Sequence, residues 1–124
     1  MVRVARYQSG AVIIAEGAES SEAYFLERGR VEVFQAGPPR RRLAVLEAGD
    51  IFGEMGVITG QSRSATVQAL DEVEVWVVER EDFLPYLQAN PDALARVLRI
   101  LCERVRVLNA QVATLAAHAA GGPH

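Results

Sequence analysis

A chain of 124 residues with a formal charge of −3 has the length of one domain, and half of its residues are hydrophobic, which excludes a disordered chain. All 13 basic residues are arginines, and without a basic stripe there is no electrostatic case for DNA binding. No apolar segment has the length of a membrane span, and no secretory h-region follows Met1. The single cysteine, Cys102, cannot form an internal disulfide. We therefore expect a cytoplasmic protein.

Residues 4–80 consist of short apolar runs separated by glycine-centred turns, a pattern typical of a small antiparallel β sandwich or barrel. The predicted strands cover residues 4–7, 11–15, 23–27, 31–34, 43–46, 66–70 and 73–78. We predict a hairpin around Gly29, which joins the third and fourth runs, and a second strand pair around Asp71-Glu72, which joins the last two. Phe34 and Trp76 are expected in the core.

The connection between the fourth and fifth strands carries two features. Gly37-Pro38-Pro39 interrupts strand pairing, because neither proline can donate to a ladder. The run of arginines at 40–42 that follows is typical of a solvated strand edge, although contact with an acidic partner is the alternative.

Residues 52–67 have the composition of a phosphate-binding loop. Glu54 precedes Arg63 by nine residues, glycines occupy positions 53, 56 and 60, and small residues follow Arg63. Glycines let the main chain approach an anion closely, and a short helix after them would present unpaired donors. Arg63 can neutralise a phosphate with a forked, permanently charged group, whereas Glu54 suits a sugar hydroxyl. The alternative is a glycine-containing turn with a surface ion pair.

The same stretch, with Phe-Gly-Glu-Met at 52–55 and Arg-Ser-Ala-Thr-Val at 63–67, resembles the phosphate-binding cassette of the cyclic-nucleotide-binding domain. That family includes catabolite-activator regulators, kinase regulatory subunits and nucleotide-gated channels. The likeness covers about residues 7–115. It implies a mainly β fold of the α+β class: an antiparallel β-barrel (double-stranded β-helix or jelly roll) with a short cassette helix and a long C-terminal helix.

The resemblance also implies roles for individual residues. Glu54 and the Gly53 backbone would take the ribose 2′-hydroxyl, Arg63 the cyclic phosphate, and the amides of Ser64 and Ala65 would complete the cradle. The full set of implied ligand-binding residues is Gly53, Glu54, Met55, Arg63, Ser64, Ala65, Val33, Leu43, Leu108 and Asn109. At Gly56 and Gln61-Ser62 the chain departs from the family's common residues, which are alanine or serine and then proline, and we expect an effect on affinity more than on identity.

Val33 and Leu43 match family positions that pack on the base, a role compatible with ordinary core packing. Leu108 and Asn109 fall, by register with activator-type members, where the long helix reaches over the base. The Asn109 amide can pair with the donor and acceptor edge of adenine, which favours cyclic AMP over cyclic GMP. A solvent-facing Asn109 is the alternative.

A short helix is predicted from Glu81 to Gln88, and a long one from Pro91, capped by Asn90, to about Ala117. Apolar residues in the long helix recur in alternating steps of four and three: Leu94, Leu98, Leu101, Val105, Leu108, Val112 and Leu115. This a/d seam predicts a parallel homodimer through the helix 92–117, as in the resembled regulators. The alternative is a helix that only covers its own barrel.

We therefore predict one domain, with a β-barrel at 1–80 that holds the cassette at 52–67, hinge and dimerisation helices at 81–118, and a disordered tail at 119–124. The expected function is a cyclic-nucleotide sensor, for cyclic AMP or else cyclic GMP, that moves its C-terminal helix on binding. Alternatives are a ligand-free dimerisation module, or the sensor half of a transcription regulator without its DNA-binding domain.

An enzyme of the cupin type is not expected. Such enzymes hold a metal with histidines projecting from strands, whereas this chain's histidines are His118 and His124. We expect no catalytic residues, no metal and no cofactor, a cyclic mononucleotide as ligand, and neither a DNA-binding element nor a membrane segment in this chain.

Overall fold

A computed structural model describes residues 2–120, with side chains as far as His118. The strands are β1 (Val2–Tyr7), β2 (Val12–Ile14), β3 (Glu22–Arg28), β4 (Val31–Gln35), β5 (Arg41–Leu46), β6 (Ile51–Phe52), β7 (Thr66–Ala69) and β8 (Val73–Glu79). The helices are α1 (Glu54–Thr59), α2 (Arg80–Ala89) and α3 (Pro91–Ala120). The chain divides into two compact units, one up to Ala89 and one from Asn90 onward.

The first unit is a jelly roll of two four-stranded antiparallel sheets, as predicted. One sheet has the order β1-β8-β3-β6 and the other β2-β7-β4-β5. The apolar side chains of alternate β8 residues, Val73, Val75 and Val77, point into the core. The rings of Tyr24 and Phe52 stack there at 4.9 Å, so the first residues of the cassette are anchored in the core.

Both predicted strand pairs are wrong. β3 and β4 lie in different sheets, and so do β7 and β8. The turns after β3 and β7 bond to each other instead: the Arg30 amide donates to Asp71 Oδ1 at 2.8 Å, and the Leu70 amide donates to the Arg30 carbonyl at 2.9 Å. Gly29 has φ +86°, and a Cβ on it would overlap the Glu72 carbonyl. Each turn therefore carries the chain from one sheet to the other.

Trp76 is not a core residue. It points away from the core on β8, is 39% exposed, and stands opposite Val4 of β1. Phe34 is half-buried beneath the Arg40 guanidinium, whose carbon lies 3.9 Å from the ring centre. Arg40 and Arg42 both bind the Glu32 carboxylate, with Arg42 Nε 2.6 Å from it, so two of the three consecutive arginines are paired within their own hairpin.

The second unit contains α3, which begins at Pro91 as predicted and is continuous to Ala120. The remainder of the predicted tail, residues 121–124, lies outside the described part of the chain. The seam residues Leu98, Val105, Leu108, Val112 and Leu115 are 54–68% exposed in the single chain. None of the helices between residues 2 and 120 has the length and apolarity that crossing a bilayer requires.

Candidate functional site

The site begins where β6 ends and the chain turns into α1. Gly53 has φ +79°, a left-handed conformation that favours glycine. A Cβ at this position would lie 2.9 Å from Arg63 Nη1, 3.0 Å from the Glu22 carbonyl oxygen and 3.2 Å from Ile14 Cδ1. Both the turn and the close approach of Arg63 therefore require glycine here.

Arg63 lies in a buried position, 8% exposed, and donates to two main-chain oxygens. Its Nη1 is 2.7 Å from the Gly53 carbonyl oxygen and its Nη2 is 2.5 Å from that of Glu22. Burial lowers the pKa of Arg63 and the nearby Arg80 charge lowers it further, while interactions with Tyr24, Glu22 and Glu54 oppose that shift. Because arginine stays protonated and its partners here are neutral oxygens, its positive charge is not cancelled by these hydrogen bonds.

Glu54 is the second buried charge of the site. It is 2% exposed and lies in the first turn of α1, where the helix dipole favours a carboxylate. It lies near enough to Arg63 to oppose the lowering of the Arg63 pKa by burial, although its effect is smaller than those of Tyr24 and Glu22. The sequence predicted that these two residues share one site, and the structure brings Gly53, Glu54 and Arg63 together.

Glu22 and Tyr24 were missed by the sequence analysis. Tyr24 Oη donates to Glu22 Oε1 at 2.9 Å, and Arg3 Nη2 lies 2.5 Å from Glu22 Oε2, so the Glu22 side chain is fixed on both oxygens. Burial raises the pKa of Tyr24, and the neighbouring Glu22 carboxylate adds to the shift, so the phenol remains a donor. The residue whose carbonyl binds Arg63 is thereby held in place.

Arg63 and the residue after it are held by two other parts of the chain. The Gly17 amide donates to the Arg63 carbonyl at 2.8 Å, and the Arg63 amide donates to the Ala18 carbonyl at 2.8 Å. Gln35 Nε2 donates to the Ser64 carbonyl at 3.1 Å. The connection between β2 and β3 and the end of β4 therefore fix the geometry of the cassette's second half.

The departure at Gly56 has a structural explanation. Ser20 is 2% exposed, and its Oγ donates to the Gln61 carbonyl at 2.5 Å. A Cβ at position 56 would overlap both the Oγ and the Cβ of Ser20. Gly56 and Ser20 are therefore complementary: the serine occupies the space that a side chain on α1 would need.

Comparison with known proteins decides the family. The family model described as "Cyclic nucleotide-binding domain" matches residues 4–90, more than half of the chain and all of the cassette. The chain belongs to the cyclic nucleotide-binding domain family.

Two curated relatives and one solved structure illustrate this membership. The chain is 30% identical over 102 residues to the cyclic AMP receptor protein of Thermus thermophilus, covering 81% of this chain and 47% of the relative. It is 37% identical over 95 residues to the cGMP-dependent 3′,5′-cGMP phosphodiesterase A of Dictyostelium discoideum, covering 77% of this chain and 10% of the relative. The crystal structure of the Thermus thermophilus catabolite activator protein superimposes with a TM-score of 0.80 at 26% identity, covering 93% of this chain and 55% of that one.

The chain thus spans less than half the length of the two curated relatives. It is a cyclic nucleotide-binding regulatory domain.

The other residues predicted to bind ligand in this cyclic nucleotide-binding domain differ in how far they are buried. Val33 on β4 packs against the core and stands opposite Val67, while Leu43 on β5 is 48% exposed. Met55 is 67% exposed and Ala65 is 8% exposed. Ser64 is exposed. Leu108 and Asn109 are exposed residues of α3 in the second unit, and their contribution to a site with the cassette stays a prediction.

Proposed function

We propose that this domain is a receptor for a cyclic mononucleotide, with cyclic AMP preferred, and that binding moves α3. The observation that supports this most is Arg63, a buried cation bonded to two neutral carbonyl oxygens beside a buried Glu54. A buried positive charge of this kind is a strong attractor for an anion that can displace or share its hydrogen bonds.

In the proposed complex, Arg63 binds the cyclic phosphate and the amides of Ser64 and Ala65 donate to its oxygens. Glu54 and the Gly53 backbone bind the ribose 2′-hydroxyl. Val33 and Leu43 pack on the base, and from α3 Leu108 and Asn109 approach it. The amide of Asn109 supports cyclic AMP, as does the name of the Thermus relative, whereas the Dictyostelium relative is named for cyclic GMP.

The hydrogen bonds of Arg63 support the proposed movement. A phosphate that attracts its guanidinium competes with the carbonyl oxygens of Gly53 and Glu22, and so shifts the start of α1 relative to β3. The ligand stabilises the conformation that binds it better and moves the equilibrium toward that state. If α3 also forms a parallel homodimer, both protomers respond together.

The proposed location of this receptor is the cytoplasm. An exposed free thiol at Cys102 suits such a reducing compartment.

Isothermal titration calorimetry tests this proposal with cyclic AMP, cyclic GMP and 5′-AMP, whose phosphate is not cyclised. We expect saturable binding of cyclic AMP, weaker binding of cyclic GMP and much weaker binding of 5′-AMP. Arg63→Gln should weaken cyclic AMP binding by about 100-fold, or roughly 3 kcal/mol, because the buried phosphate loses its countercharge.

Arg28→Gln is the matched control, since it removes an exposed arginine at the end of β3 and should leave affinity unchanged. Circular dichroism must show that both variants are folded. Absence of saturable binding of either cyclic nucleotide at millimolar concentration would reject the proposal and favour a ligand-free dimerisation module, for which the exposed seam of α3 is the supporting observation.

A further inference from the structure

Two consecutive carbonyl groups at the end of the cassette are held by residues outside it. The Arg63 carbonyl accepts from the Gly17 amide at 2.8 Å. The next one, of Ser64, accepts from the side-chain amide of Gln35 at 3.1 Å. The first bond joins two main-chain groups, whereas the second depends on the identity of one side chain.

The direction of these carbonyls fixes the direction of the following amides. A peptide unit is planar and trans, so its oxygen and its N–H hydrogen point in opposite directions. With the Arg63 oxygen turned toward Gly17, the Ser64 N–H points away from Gly17. With the Ser64 oxygen turned toward Gln35, the Ala65 N–H points away from Gln35. The two outside donors therefore orient the two amides proposed to bind phosphate.

Gln35 is placed to do this by the sheet register. β4 and β7 are paired with Phe34 opposite Thr66, so Gln35 at the end of β4 lies next to the residues that precede β7. On its other side Gln35 stands opposite Arg41 of β5. The main chain of Gln35 is thus fixed in the ladder, and its side chain reaches the Ser64 oxygen from a rigid strand.

We propose that Gln35 is a positioning residue for the ligand's phosphate: its amide holds the Ser64–Ala65 peptide so that the Ala65 N–H donates to one exocyclic oxygen of the cyclic phosphodiester. This inference rests on the proposed function. Gln35 acts on the phosphate through the peptide and does not touch the base, so it affects cyclic AMP and cyclic GMP equally and discriminates between the two exocyclic oxygens.

The test compares Gln35→Met, which keeps the length of the side chain but removes the donor, with Gln68→Met. Gln68 makes the same type of bond elsewhere, from its Nε2 to the Gly10 carbonyl at 2.9 Å, and is the matched control. Affinities are measured by calorimetry for cyclic AMP, cyclic GMP and the two phosphorothioate diastereomers of cyclic AMP, each of which has sulfur in place of one exocyclic oxygen. The ¹H–¹⁵N resonance of Ala65 is followed with and without ligand.

Loss of one neutral hydrogen bond should weaken cyclic AMP binding by Gln35→Met about three- to tenfold. The ratio of cyclic AMP to cyclic GMP affinity should stay constant, the ratio between the diastereomers should change about threefold or more, and the ligand-induced shift of the Ala65 amide should shrink. Gln35→Glu places a carboxylate, which accepts hydrogen bonds, next to the Ser64 carbonyl oxygen. This variant should therefore bind cyclic AMP more weakly than Gln35→Met. Gln68→Met should behave as wild type.

Wild-type affinity and an unchanged diastereomer ratio in Gln35→Met would overturn the inference while leaving the proposed function intact. The inference would also be overturned if Gln35→Met lost the same affinity for both diastereomers and Gln68→Met showed the same loss, because that pattern indicates a general structural effect. If the wild-type domain bound no cyclic nucleotide, the proposed function would fail and this inference with it.

Discussion

Glu54 illustrates how a single buried residue can be tested for a ligand role. Its carboxylate is 2% exposed at the start of α1, and in the proposed complex it accepts a hydrogen bond from the ribose 2′-hydroxyl. A buried acceptor that pairs with a substrate hydroxyl discriminates strongly against a ligand without it. The discriminating ligand is therefore 2′-deoxy cyclic AMP.

We predict that the wild-type domain prefers cyclic AMP over 2′-deoxy cyclic AMP by at least about tenfold, because a charged acceptor would lose its partner. In Glu54→Gln the ratio of the two affinities should fall toward one, and both ligands should bind weakly. Competition binding with the two ligands gives the ratio directly. Glu27→Gln, at an exposed position of β3, should keep the wild-type ratio. A Glu54→Gln ratio equal to that of wild type would contradict the ribose role.

Gly56 and Ser20 form a packing pair whose energetics can be measured. Gly56→Ala should destabilise the domain by about 1–3 kcal/mol, because the new methyl group overlaps the Ser20 side chain. Ser20→Gly should cost about 1 kcal/mol through the lost hydrogen bond to the Gln61 carbonyl. The double variant should lose less free energy of unfolding than the two single variants lose together. Urea unfolding of all three variants and the wild type measures this difference. Strict additivity would show that the two positions are not coupled.

At the level of residues, the sequence predicts the charges of the site but not its framework. The types and order of Gly53, Glu54 and Arg63 carry enough chemistry to indicate one shared site. The partners of Arg63 are main-chain carbonyls, which every residue type possesses, so nothing in the sequence distinguishes Glu22. The contacts of Gln35 and Ser20 depend on strand register and on packing between segments far apart in sequence, and these appear only in the folded chain.

Among the elements, the hairpin of β4 and β5 is stabilised by an ion cluster. Glu32 is 4% exposed, and hydrogen bonds from Arg40 and Arg42 lower its pKa from 4.5 to about 2. Because the folded-state pKa is the lower one, the cluster's contribution to stability is complete above pH 4.5 and is lost as the pH falls toward 2. The cluster therefore links this hairpin to acid stability.

We expect Glu32→Gln to lower the melting temperature at pH 7 and to flatten its dependence on pH between about 4.5 and 2, because the substituted side chain cannot be protonated in that range. Melting curves at half-unit pH intervals measure both effects. Glu47→Gln, an exposed glutamate after β5, should retain the wild-type pH slope. The cluster would be irrelevant to acid stability if Glu32→Gln and wild type had parallel curves.

The strands themselves were largely predictable, whereas their partners were not. Short apolar runs between glycine-centred turns located seven of the eight strands, and the two-residue β6 lay inside the predicted cassette. A glycine turn between two adjacent runs favours a hairpin on local grounds. In this jelly roll the turns at Gly29 and Asp71 instead bond to each other and connect opposite sheets, so long-range contacts overrule the local preference.

For the whole molecule, the exposed apolar seam of α3 is the feature that supports association of two chains. Its seam recurs at a/d positions over three heptads, and side chains such as Val105 and Val112 are 54% and 63% exposed in the single chain. A parallel coiled coil would bury this apolar surface. The homodimer and its response to ligand are parts of the proposed function.

We predict that the wild-type domain sediments as a dimer at micromolar concentration and that Val105→Glu/Val112→Glu sediments as a monomer, because four carboxylates would enter the seam of each dimer. Val107→Glu is the control, since Val107 is 44% exposed on α3 but lies off the seam. Analytical ultracentrifugation distinguishes the states. A monomeric wild type, or equal dissociation by Val107→Glu, would exclude this seam as the interface.

The attachment of Arg63 to the Gly53 and Glu22 carbonyls has a consequence for genetics. In the proposed complex the Arg63 guanidinium binds the ligand's phosphate, and it also joins the start of α1 to β3, so its loss would weaken the fold as well as ligand binding. A cell that carries such an allele would accumulate less of the protein, because chaperones and proteases remove chains that unfold more often. Alleles of this arginine would then resemble null mutants.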